Sequence, residues 1–240
     1  MLIDGLSVVI PVFNEQDNVQ TLIEEVKQAL DESLPYEILF VDDASLDGTA
    51  TNILLLTRNF SNLRLIRHRR NLGQSAAVVT GVRHAKYAWV ATLDGDGQND
   101  PKDLVILLNA IKAQSSLEVL CIGQRQQRRD TWLRKFSSRI ANQVRQSILK
   151  DACPDSACGI KIFPRNLFLT LPLFKNCHRF MPALFTRAGA TVIQVPVTHR
   201  ERRTGISKYG VHNRLWVGIV DLFGVSWLMR RFIECEKQDV

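Results

Sequence analysis

Residues 88–101 read AWVATLDGDGQNDP, an apolar run that ends in two aspartates one glycine apart. Carboxylates placed at the end of such a run are costly unless something positive meets them there. Side chains two apart in an extended chain face the same way, so Asp94 and Asp96 are expected to point together from a strand end. Gly95 and Gly97 leave room for a ligand to approach the backbone. With the Gln98 carboxamide the two acids make a set of hard oxygen donors suited to Mg²⁺ or Mn²⁺. Mg²⁺ takes one or two protein carboxylates and completes its shell with phosphate and water, so the pair predicts a diphosphate-bearing substrate. A calcium loop starting at Asp94 would need glycine at Asn99 and glutamate at Val105, and fails on both. An aspartyl phosphatase also carries D-x-D after an apolar strand, usually near the N-terminus; a solvated acidic turn is the plainest alternative.

Outward from this stretch, strand and helix patterns alternate. Leu6–Val12 is β-branched and reads as a buried strand. Val19, Leu22, Ile23, Val26 and Leu30 recur at helical spacing. Tyr36–Val41 reads as strand, Thr49–Asn59 as helix, Leu63–Arg67 as strand and Gln74–Ala85 as helix. Ala88–Leu93 is strand, Pro101–Ala113 a helix with proline in its first turn, and Leu117–Gly123 strand. Four βα repeats with short links predict a doubly wound, mostly parallel sheet with helices on both faces. In such folds the C-terminal strand ends share one edge, where ligands bind. Those ends carry Asn14 and Glu15, Asp42 and Asp43, Arg67 to Asn71, Asp94 and Asp96, and Arg125: acids and bases converging as in a ligand site.

The 240 residues suffice for one α/β domain, or a domain with an appendage, and the 45% hydrophobic content is that of a globular chain. A formal net charge of +7 favours anionic partners. Basic residues interleaved with aromatics on a sheet are absent and no helix-turn-helix pattern occurs, which argues against nucleic acid. The five cysteines lack a C-x-x-C pair and read as buried thiols of a reducing compartment. The N-terminus, MLIDGLSVVIPVFNE, lacks the basic segment of a signal peptide. No uncharged apolar stretch approaches the ~18 residues of a membrane span. The expectation is a cytoplasmic protein.

Past Arg125 the pattern loosens. Trp132–Lys150 reads as a basic amphipathic helix, Gly159–Phe163 as a short strand, His178–Ala188 as a short helix and Thr191–Val197 as a strand. HRERRTGISKYG (199–210) reads as a loop, and Leu215–Met229 as an apolar helix with one acid, Asp221, ending in Arg230 and Arg231.

PVFNE, VDDASLDGT, NLGQSAAVVTG and LDGDGQ, each following one of the first four strands in this order, resemble the inverting family-2 glycosyltransferases of GT-A fold. From Asp155 onward, DSACGIKIF, HRFMPAL and HRERRTGISKYG are most similar to the dolichyl- and polyprenyl-phosphate sugar synthases. The resemblance implies a metal-dependent transfer of a hexose, mannose favoured, from a GDP- or UDP-sugar to a polyprenyl phosphate. It implies a nucleotide pocket of Pro11, Asn14, Glu15, Asp43 and Asp94, and a metal site of Asp94, Asp96 and Gln98. Gly73 and Gln74 open a helix whose N-terminus can face phosphate. The family's R-x-x-G-x-S-K pattern is met by Arg202, Gly205, Ser207 and Lys208; with Arg200 these would hold the acceptor phosphate, and Arg125 would join the phosphate-binding bases. Ala157 departs from the D-x-G-C-G read in many relatives.

A phosphate acceptor is already anionic near neutrality and needs no strong base. Cations that hold two anions within reacting distance suffice: the metal ion expected at Asp96 for the departing diphosphate, and Arg125, Arg202 and Lys208 around the phosphates, which are the catalytic candidates. A glycan or glycolipid hydroxyl, the alternative acceptor, would require a carboxylate base, for which Asp155 is the candidate. The expected organisation is a GT-A domain over 1–210, nucleotide half 1–125 and acceptor half 126–210, followed by a basic, apolar C-terminal helix over 211–240. That helix would lie in the interface at the cytoplasmic face of a membrane or pack as core, and the chain would be peripheral or lean on a separate membrane partner protein.

Overall fold

The computed structural model describes residues 3–126, 143, 145–149, 151, 153–201 and 211–231, with the backbone alone for 211–216. Seven strands form one sheet in the order β3-β2-β1-β4-β6-β5-β7. They are β1 (Leu6–Val12), β2 (Tyr36–Asp42), β3 (Leu63–Arg67), β4 (Trp89–Thr92), β5 (Val119–Arg125), β6 (Lys161–Pro164) and β7 (Thr191–Val197). The helices are α1 (Val19–Leu30), α2 (Thr49–Leu56), α3 (Gln74–His84), α4 (Asp103–Lys112), α5 (Arg165–Thr170), α6 (Met181–Arg187) and α7 (Val211–Arg230). A 3-10 turn, Cys177–Arg179, precedes α6.

The sheet is mostly parallel, as the βα repeats predicted, with one reversal. β6 pairs antiparallel with both β4 and β5, holding the fourth and fifth strands apart. Strand spacing along the chain could not foresee this, because β6 arrives from the second half. The helix expected over Thr49–Asn59 ends at Leu56, and the C-terminal helix begins four residues before Leu215. The basic helix expected over Trp132–Lys150 lies largely outside the described residues, of which 145–149 are helical.

β1 is central and buried on both faces, which explains its run of apolar residues. Successive side chains alternate between two cores. Val8, Ile10 and Val12 face the cluster holding α1 and α4, whereas Val9 faces the cluster of α3, α5 and α6. Phe163 stacks on Phe168 at 5.0 Å between ring centres and meets Phe185 at 5.6 Å. Full burial of each such ring contributes roughly 2–3 kcal/mol. Both cores hold the C-terminal strand ends rigidly at one edge.

Candidate active site

The loops at that edge are tied to one another by side chains. Asn14 sits at φ 52°; its backbone N–H donates to Ser45 Oγ at 2.8 Å and its side-chain Oδ1 accepts from Leu46 N at 2.7 Å. Glu15 N donates to Thr49 Oγ1 at 2.8 Å. The loops after β1 and β2 are therefore one cradle, with Ala44 also left-handed at φ 64°. Ser45 and Thr49 carry this cradle, and only their place after an Asp-Asp pair hints at it in the sequence.

Asp43, buried, organises the next loop. Its Oδ1 accepts from Leu72 N at 2.8 Å and lies 2.7 Å from His68 Nδ1; its Oδ2 accepts from Gly73 N at 2.7 Å. Gly73 needs its φ of 89° for this turn into α3. Asp42, at the end of β2, is wholly buried, accepts from Ser45 N at 2.9 Å and lies 3.0 Å from Arg67 Nε.

Asp94 receives Gln74 Nε2 at 2.9 Å, which joins the α3 N-terminus to the acid pair. Asp96 Oδ1 accepts from Gln98 N at 3.1 Å, a tight Asx turn. Beneath Asp94 lies Gly159, where an added Cβ would overlap the carboxylate and approach Asn99 Oδ1 to 2.7 Å. Burial first, and the Asp96 charge second, push the Asp94 carboxyl up to about 6, against the pull of Lys161, Arg125 and Gln74. Lys161 on β6 is buried, and its ammonium donates to the Cys158 carbonyl; burial lowers its pKa. In the sequence it reads as an ordinary polar residue of a short strand, so its place beside the acid pair was not legible.

Arg125 and Asp155 form a fork: Nε to Oδ2 and Nη2 to Oδ1, each 2.7 Å. Arg200 is held by Glu25 at 2.7 Å and Asp100 at 2.6 Å. Arg125 and Arg200, two of the three arginines expected to contact phosphate, are thus engaged by acids of this chain. Arg202, Ser207 and Lys208 lie outside the described residues.

Among the described residues no group of three or more His, Cys, Asp or Glu could hold a metal ion. Two like-charged carboxylates, one destabilised by the other, nevertheless suit a divalent cation whose remaining ligands come from a phosphate and water. The donor chemistry at Asp94, Asp96 and Gln98 fits Mg²⁺ or Mn²⁺ in that shared manner.

The C-terminal helix packs by one face and presents another. Val225 is buried and Asp221 accepts from Asn176 Nδ2 at 2.9 Å, while Val217, Val220, Phe223 and Trp227 are exposed. Among the described residues no helix is long and apolar enough to cross a membrane.

Residues 7–171 match the family model for glycosyl transferase family 2, and the chain belongs to that family. It is 36% identical over 94% of its length to a dodecaprenyl-phosphate galacturonate synthase of Rhizobium johnstonii. It is 34% identical over 88% of its length to an undecaprenyl-phosphate 4-deoxy-4-formamido-L-arabinose transferase of Sodalis glossinidius. The chain spans about two thirds of these relatives, 67% and 64% respectively. Among solved structures, glucosyl-3-phosphoglycerate synthase from Mycobacterium tuberculosis with Mn²⁺ and UDP superposes with a TM-score of 0.70 at 15% identity, covering 96% of this chain and 81% of that one. A mannosyltransferase from Pyrobaculum calidifontis with GDP-Man and Mn²⁺ gives 0.67 at 19% identity, covering 97% and 66%. The fold is therefore that of these glycosyltransferases, as expected.

Proposed function

We propose that the protein transfers a sugar from a nucleotide donor to a polyprenyl phosphate, inverting the anomeric carbon, with a divalent cation at Asp96. The names of the two curated relatives support the lipid phosphate, and the structures with bound nucleotide and Mn²⁺ support the donor and the ion. The observation that carries the acceptor choice is the Arg125–Asp155 fork. A carboxylate whose two oxygens are both held by a guanidinium is a poor proton acceptor, so the base required by a hydroxyl acceptor is not on hand at Asp155. A phosphate monoester, with a second pKa near 6, attacks without one.

In this reading the cradle of Asn14, Glu15 and Asp43 receives the nucleoside, and Gln74 orients Asp94 beneath its diphosphate. A bound divalent ion supplies Lewis-acid neutralisation of the departing diphosphate. Arg202, Ser207 and Lys208 recruit the lipid phosphate and place its oxygen for in-line attack. The work is done at the cytoplasmic face of a membrane, on whose surface the exposed stripe of α7 rests.

Mannose on a dolichyl carrier, favoured by the motif resemblance, gains nothing from the relatives' names, which print galacturonate and formamido-arabinose on polyprenyl carriers. The experiment is a donor-by-acceptor screen: labelled nucleotide-linked galacturonate, 4-formamido-arabinose, mannose and glucose, each with undecaprenyl phosphate, dolichyl phosphate or a glycan. The expected result is an organic-extractable product that forms with lipid phosphate and disappears with EDTA. Turnover confined to hydroxyl acceptors would replace the lipid-phosphate reading.

A further inference from the structure

After β7 the chain turns back across the sheet edge and lies antiparallel to the loop that carries the acid pair. Thr198 N donates to Asp103 Oδ2 at 2.9 Å. His199 bridges Asn99, and Arg200 N donates to Gln98 O at 2.9 Å. Gln98 Nε2 returns to Arg200 O at 3.5 Å. The Arg200 side chain continues this ribbon into α1, with Nη1 at 2.7 Å from Glu25 Oε2 and Nη2 at 2.6 Å from Asp100 Oδ2. The three side chains are only 23%, 22% and 17% exposed, so the two ion pairs are partly shielded from water.

We propose that Arg200 is a positioning residue for the 96–100 loop and not a ligand of the acceptor phosphate. Its kinetic consequence rests on the glycosyltransferase reading above, while its structural half stands on the contacts alone. At its tip the loop is held by short-range bonds alone: Gly97 sits at φ 71°, Asp96 is fixed by one Asx turn, and Asn99 Oδ1 receives Asp94 N at 3.3 Å. Arg200 adds an anchor from outside the loop. It grips the loop through backbone and carboxylate on one side and, on the other, α1, whose Leu22, Ile23 and Val26 are buried in the core. A guanidinium committed to two acids would have to abandon both to reach a phosphate. A loop released by about 1 Å at the reacting centre loses on the order of a hundredfold in rate.

Arg200→Met and Glu25→Gln, in the full chain, separate the two roles. If Arg200 is an anchor, both variants act alike. Each lowers kcat and raises the Mn²⁺ concentration for half-maximal rate by roughly tenfold or more, while the acceptor KM stays within about twofold of the unaltered protein. Hydrogen exchange gives a readout that needs no turnover: the Gln98 and Arg200 amides exchange faster in Glu25→Gln than in the unaltered protein. A raised acceptor KM in Arg200→Met alone, with Glu25→Gln kinetically silent, overturns the proposal, as does unchanged exchange at those amides. Should Arg200→Met fail to fold, Glu25→Gln decides by itself, since a phosphate-binding Arg200 would be released by it, not disabled. Absence of turnover by the unaltered protein with every donor would count against the glycosyltransferase reading, and the exchange measurement would still decide the anchor.

Discussion

Arg125 grips both oxygens of Asp155, each at 2.7 Å, and its own backbone amide adds a third contact at 3.2 Å. The pair spans from the end of β5 to the segment before β6, with side chains only 17% and 7% exposed. Asp155→Asn leaves a guanidinium without its counter-charge in a mostly buried place, a loss of about 3 kcal/mol. Calorimetry should show Tm lowered by roughly 10 °C. At a temperature where the variant is folded, turnover with lipid phosphate should fall less than about tenfold; a general base would cost on the order of a thousandfold.

Asp94 makes stability depend on pH. Its carboxyl titrates at about 6 in the fold against an ordinary 3.8, because burial and then Asp96 penalise its charge. The folded chain thus binds that proton more tightly than the unfolded one, and stability falls as pH rises through the window between those two values. Asp94→Asn removes the penalty. Without divalent cations it should melt higher than the unaltered protein at about pH 7.5, and the gain should vanish by about pH 4. Mn²⁺ with UDP should stabilise the unaltered protein and not the variant.

Gly159 is a spacer between the second half of the chain and the acid pair. In Gly159→Ala the new methyl competes with the Asp94 carboxylate for the same volume, with Asn99 Oδ1 only 2.7 Å away. Overpacking of this kind costs about 1–3 kcal/mol. The larger effect should be on kcat, with a loss on the order of a hundredfold from displaced ligand geometry. Single-turnover kinetics beside thermal melts would separate the two.

Phe223 and Trp227 are 66% and 62% exposed on α7, with Arg230 and Arg231 exposed beyond them. Burial of each ring in a bilayer interface is worth about 2 kcal/mol, more than tenfold in partitioning. Phe223→Glu with Trp227→Glu should abolish co-sedimentation with anionic vesicles and leave Tm within about 2 °C, since exposed positions seldom support the core. Binding of the unaltered protein to protein-free vesicles would make a separate membrane partner unnecessary for docking.

Much of the first half was legible because its signals are local. β1 and β3 have the bounds their apolar patterns predict, and α1 begins and ends where its helical spacing does. That Asp94 and Asp96 follow the fourth strand was legible, but β4 ends at Thr92 and Asp96 lies in a turn, so strand alternation does not set the direction the two acids share. Side-chain contacts across the chain were not legible. Nothing near Arg200 in the sequence announces Glu25, 175 residues away, and nothing near Asp155 announces that Arg125 will take both its oxygens. Lys161 shows the same limit in one residue: alternation assigns a lysine in a strand to solvent, yet the reversed strand buries it beneath Asp94.

Reversed β6 has a practical corollary for anyone building chimaeras. Swapping everything after Arg125 between relatives, to change which lipid or carbohydrate is accepted, would also exchange Lys161 and Gly159, which lie against Asp94 of the acid pair. Grafts that retain residues 155–164 from the recipient keep that floor intact, and under the proposed function should alter acceptor preference without disturbing the acid pair.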